Sequence, residues 1–146
     1  MEESTSYDAI GTVSSPATLT AAYTGNQKAL YRRLMPKWHL DISYVPKAAQ
    51  TNRYVDILVE FSNDGTNYYP LTTVVPTVVE IGDYVSGTDS TTGIPIIVPG
   101  DKTSTGGTAY KATYDGENVS DWFRISARED GSANFGTLYV RAAFNT

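Results

Sequence analysis

Residues 53–71 read RYVDILVEFSNDGTNYYPL, and the fold class turns on them. Arg53, Val55, Ile57, Val59 and Phe61 alternate with Tyr54, Asp56, Leu58, Glu60 and Ser62. A period of two sends one set of side chains into a core and the other toward solvent, so the stretch predicts a half-buried strand. Asn63-Asp64-Gly65-Thr66-Asn67 interrupts the alternation, and Asp-Gly tolerates the positive φ angles of a tight hairpin turn. Tyr68, Tyr69 and Leu71 resume the apolar signal as the start of a return strand.

Upstream, residues 38–45 (WHLDISYV) place Trp38, Leu40, Ile42 and Tyr44 on one face and His39, Asp41 and Ser43 on the other. The polar turn at residues 46–52 predicts that this strand lies antiparallel beside the central one. Residues 26–35 (NQKALYRRLM) have helical propensity, with Asn26 as a cap and Pro36 as a stop, but a short strand entering the sheet reads as well. Residues 18–24 suggest a first strand, and residues 1–17 read as a mobile N-terminal arm ahead of a single domain spanning 18–146.

Downstream, residues 72–75 and 77–84 are split by Pro76, which suggests an edge strand or a bend between sheets. Residues 94–98 form a short apolar strand carrying Pro95, and residues 85–93 and 99–107 are loops by composition. Three strand patterns follow at 108–114, 121–129 and 137–144. Their inner faces are expected to include Phe123, Ile125 and Ala127, then Leu138, Val140, Ala142 and Phe144. About eight or nine strands without a firm helix predict an all-β fold, an antiparallel β-sandwich of jelly-roll type, with a barrel as the nearest competitor.

The 146 residues suit one domain, and 11 tyrosines with many Thr, Val and Gly agree with strands and turns. A net charge of −5 argues against a nucleic-acid partner, because phosphate binding needs clustered Lys and Arg. Zero cysteines exclude disulfides, thiolate metal sites and cysteine nucleophiles. The acidic start and the lack of a long apolar run lead us to expect cytoplasmic synthesis, no secretory signal and no membrane segment.

Chemistry is sparse. His39 is the sole histidine, and Asp41 on the same strand face predicts a structural hydrogen bond or a surface pair more readily than a Ser-His-Asp triad. No G-x-S-x-G elbow and no G-x-x-x-x-G-K loop occurs. Asp56 and Glu60 stand four residues apart, roughly 13 Å along a strand, wider than the ~5–9.5 Å of glycoside hydrolysis. Asn63, Asp64 and Asn67 offer oxygens to Ca²⁺ without the EF-hand spacing. The expectation is a protein that is not an enzyme, with no catalytic residue, metal or cofactor. The aromatic residues Tyr68, Tyr69, Tyr84, Tyr110, Tyr114 and Trp122 suit core packing, sugar stacking or a protein interface.

Three runs carry a resemblance: VEFSNDGTNYY at residues 59–69, WFRISARE at 122–129 and FGTLYVRAAF at 135–144. They resemble the small β-sandwich structural proteins of tailed bacteriophages, over about half the chain. The resemblance implies a non-enzymatic virion protein that decorates or stabilises the capsid, made in the host cytoplasm. Its implied partners are the major capsid protein or other virion proteins, and copies of itself as a homo-oligomer. The expected contact residues are Ser4, Thr5, Ser6, Tyr7, Asp8 and Ile10 in the arm, the loop at 85–93, and Lys102, Thr103 and Thr105 in the next loop. A weaker similarity to discoidin-like carbohydrate-binding sandwiches implies an alternative, a glycan-binding module stacking sugars on Tyr68, Tyr69 and Trp122. A tail or head-to-tail connector component is a third reading with the same fold.

Overall fold

The computed structural model describes residues 4–23, 29–47, 50–51, 54–71, 94–97, 103–104, 109–129 and 135–146, and among these there is no helix. In chain order the strands are β1 (Ser4–Ile10), β2 (Ala17–Thr18), β3 (Leu30–Tyr31), β4 (Lys37–Val45), β5 (Gln50–Thr51), β6 (Tyr54–Ser62), β7 (Tyr69–Pro70), β8 (Ile94–Ile97), β9 (Thr103–Ser104), β10 (Tyr110–Glu117), β11 (Trp122–Glu129) and β12 (Thr137–Asn145). One sheet runs β1-β12-β4-β10, with β2 also on β12. The second runs β3-β11-β6-β7, with β8 also on β6, and β5 and β9 form a separate two-stranded ribbon. All pairings are antiparallel, so the chain is an all-β antiparallel sandwich.

The alternating strands supply the core as their patterns predict. Trp38, Leu40, Ile42 and Tyr44 of β4 and Leu138, Val140, Ala142 and Phe144 of β12 face Val55, Ile57, Val59 and Phe61 of β6 and Phe123, Ile125 and Ala127 of β11, all buried. Aromatic rings join the sheets at one end of this core. Phe123 meets Phe144 edge-on at 5.0 Å, and Trp38 lies 6.0 Å from Phe61 and 6.1 Å from Phe123. Gly116 of β10, opposite Trp38, is required there, because a Cβ would fall 2.2 Å from the indole.

Glu129, the last residue of β11, faces inward with the same alternation and is fully buried at the other end of the core. It survives burial because its acceptors are occupied: Tyr44 donates its hydroxyl at 2.7 Å to one carboxylate oxygen and the Gly136 N–H donates at 2.7 Å to the other.

Two expectations change, and one open choice is decided. The β4 and β6 strands are not neighbours: β4 sits between β12 and β10, while β6 pairs with β11 in the opposite sheet. A long polar connection permits a crossing between sheets as readily as a hairpin. Of the two readings of residues 26–35, the short strand holds: Leu30–Tyr31 pair with β11, and the chain then turns at Arg33 and Leu34. The N-terminal segment is not a free arm over residues 4–10, because it pairs with β12 from Ser4 to Ile10 and buries Ala9 and Ile10 completely. The expected strands at 72–84 and the loop at 85–93 lie outside the described residues.

Candidate interaction surface

Loops at the Trp38 end of the sandwich come together: residues 32–36 after β3, 63–68 after β6, and 118–121 after β10. Arg32 anchors them. It is 2% exposed and inserts its guanidinium beneath the loops, 5.2 Å from the Phe61 ring centre and 5.7 Å from that of Phe144. Its terminal nitrogens donate to the carbonyls of Met35 and Asn118, so one side chain ties two loops together. Burial lowers its pKa to about 10, with the Asp121 carboxylate opposing the shift, and the group stays charged at neutral pH. The backbone closes the same contact, with the Arg32 N–H on the Asp121 carbonyl at 2.7 Å and the Asn118 N–H on the Pro36 carbonyl at 2.8 Å.

The 63–68 loop is fixed from within. The Asp64 carboxylate accepts from the backbone N–H groups of Thr66 and Asn67 at 2.8 Å, from the Asn67 side chain at 2.8 Å and from the Ser62 hydroxyl at 2.9 Å. These donors, led by the Asn67 N–H, hold its pKa far below the usual carboxylate range. They also occupy both of its oxygens. Gly65 takes φ +74°, and a Cβ there would sit 3.0 Å from the Trp122 ring. The six-residue connection is longer than the tight turn that Asp-Gly suggested, because Asp64 folds the loop onto its own backbone.

On these fixed loops stand apolar side chains that the core does not take up. Leu34 is 78% exposed, Val119 91% and Tyr69 71%. Leu34 also adopts φ +67°, a region a γ-branched residue avoids unless its surroundings impose it. Leu34 and Val119 share one cleft and Tyr69 lines an adjoining notch of about 420 Å³, with Asn118 and Ser120 common to both. The notch lining also includes Asn63, Asp64 and Asn67, and no Lys, Arg or His.

The residues singled out from sequence are dispersed. Tyr68 lies under Arg124, 3.9 Å from the guanidinium to the ring centre, and Arg124 in turn forks onto Glu60 at 3.0 and 3.2 Å. Trp122 is half-buried, packed on Tyr31 at 5.0 Å, while Tyr69 stands in the notch; Tyr68, Tyr69 and Trp122 therefore form no shared platform. In β1, Asp8 accepts the Tyr139 hydroxyl at 2.7 Å and Ser6 accepts from Arg141 at 2.7 Å, Tyr7 packs on Phe144, and Ile10 is in the core. Thr5 is half-buried on the same strand. Thr103 pairs with Thr51, whereas Lys102 and Thr105 lie outside the described residues.

His39 has its Nε2 2.8 Å from Asp41, as its spacing predicted, and its Nδ1 on Asp115 of β10, which nothing in the local sequence signals. The two carboxylates raise its pKa, the Asp115 contact most. A carboxylate on each ring nitrogen favours the protonated imidazole, which bridges β4 and β10. Comparison with family models, with curated proteins and with solved structures finds no match to this chain.

Proposed function

We propose that the chain is a non-enzymatic structural protein of a tailed-phage virion that decorates or stabilises the capsid, docking end-on through the loops held by Arg32. The observation that carries this is the exposed Leu34 and Val119 on loops fixed from beneath, with exposed Tyr69 of β7 in the adjoining notch. Exposed apolar side chains on a rigid support are what a protein interface needs, since little ordering entropy is lost on binding. The strand order supports the jelly-roll reading. Counting β1, β3, β4, β6, β8, β10, β11 and β12 as strands one to eight, the sheets run 1-8-3-6 and 2-7-4-5, two interlocked Greek keys.

The test is co-sedimentation with purified empty shells and, separately, with tails. Leu34→Asn keeps a residue that tolerates positive φ while removing the apolar side chain; with Val119→Asp it should weaken shell binding by about tenfold or more, with the fold intact. Saturable binding to shells that resists both substitutions would overturn the docking surface, and binding to tails alone would favour the connector reading.

The glycan alternative now rests on Tyr69 alone among its three aromatics, beside the amides of Asn63, Asn67 and Asn118. A neutral sugar would suit a notch without cations. Retention on a glycan array that Tyr69→Ala abolishes would favour this reading over docking.

A further inference from the structure

Among the described residues, the strand edges are short or interrupted, with one exception. Unpaired edges invite pairing with another chain, and proteins blunt them by shortness, charged side chains, proline or bulges. In the second sheet β3 has two residues, and β7 and β8 carry Pro70 and Pro95. In the first sheet β1 shifts register between Asp8 and Ile10. The β10 edge has only the charged side chains Lys111, Asp115 and Glu117 among these devices, and it is neither short nor bulged. Its eight residues pair with β4 without a break, it contains no proline, and among the described residues no strand covers its other side.

The β10 sequence is also complementary to itself. Laid antiparallel against a second copy with Thr113 on the two-fold axis, Lys111 faces Asp115 of the second copy and Asp115 faces its Lys111. All three residues are exposed, on the outward face of the sheet. On the inward face, Ala112 meets Tyr114 and Tyr110 meets Gly116, a small residue opposite a large one at each position. Lys111 has no ion-pair partner among the described residues, and Asp115 uses one oxygen on His39, leaving the other to accept.

We infer that β10 is a self-association edge, pairing antiparallel with β10 of a second copy about Thr113 to join the β1-β12-β4-β10 sheets of two sandwiches into one continuous sheet. The partner is the chain itself, and the inference does not depend on the virion reading. The test is sedimentation equilibrium of the whole protein and of two exposed-site variants, Lys111→Asp and Asp115→Lys, at concentrations to about 100 µM, because an edge contact falls at the small end of interface sizes. The wild type should dimerise. Each variant opposes like charges twice across the axis and should dimerise at least about tenfold more weakly. Mixed in equal amounts, the two variants restore both opposite-charge pairs and should form a heterodimer. A monomeric wild type, a dimer insensitive to either substitution, or variants that stay monomeric on mixing would each overturn the inference. A cooperative thermal transition in each isolated variant confirms that association, not folding, was altered, with Asp115→Lys melting somewhat lower for its lost contact with His39.

Discussion

Arg32 and Glu129 close opposite ends of one core with opposite charges, and each is tolerated for the bonds it makes. Glu129 accepts from Tyr44 and Gly136, so Glu129→Ala would bury a hydroxyl and an N–H without acceptors. Leaving buried partners unsatisfied costs about 1–3 kcal/mol each, and we expect a loss of about 2–5 kcal/mol in urea unfolding, with Glu129→Gln milder because one acceptor remains. His39 contributes in a pH-dependent way. Its raised folded pKa means that its stabilisation is fully present below the unfolded value, near pH 6.5, and is lost as pH rises through the folded value. The melting temperature of wild type should therefore exceed that of His39→Gln at pH 6 and approach it by pH 9. As the sole histidine, its imidazole resonance titrates alone in a proton NMR spectrum, and a midpoint at or below 6.5 would contradict the bridge to Asp41 and Asp115.

At the scale of strands, β1 carries more than its composition suggests. Ile10 is fully buried beside β12, and Ile10→Ala should cost about 2–5 kcal/mol by urea unfolding, whereas a free arm would show no effect. Strands β4, β6, β11 and β12 were legible because their apolar residues alternate for eight or nine positions. The β1 strand was not, since STSYDAI gives only Tyr7, Ala9 and Ile10 as inward candidates and its paired hydroxyls look like those of a tail. Pairing was less legible than strand location. Period two fixes which side of a strand is buried and says nothing about which strand lies beside it, so β4 and β6 read as a hairpin although they face each other across the core. The docking loops were the least legible. Residues 26–35 read equally as helix or short strand because nothing local announces that Arg32 turns inward, or that Leu34 takes positive φ. Val119, a lone apolar residue between Asn118 and Ser120, was the one available signal.

The two surfaces of the whole molecule constrain each other. The β10 strand runs toward the docking loops, ending at Glu117 just before Asn118. An antiparallel pair about Thr113 therefore points the two sets of loops in opposite directions, and a dimer cannot place both on one shell. On the proposed docking mode, one set would face a shell and the other would project outward, where it would reach a second shell. When dimers are scarce relative to sites, bridging should clump the particles; in excess, each site takes its own dimer and the clumps should dissolve. Light scattering of empty shells titrated with wild type should rise and then fall, while Lys111→Asp should decorate the shells without the rise. Binding without clumping by a protein already shown to dimerise would mean that docking uses a surface other than the Leu34 end. Clumping by both proteins would mean that the bridge between shells is not β10.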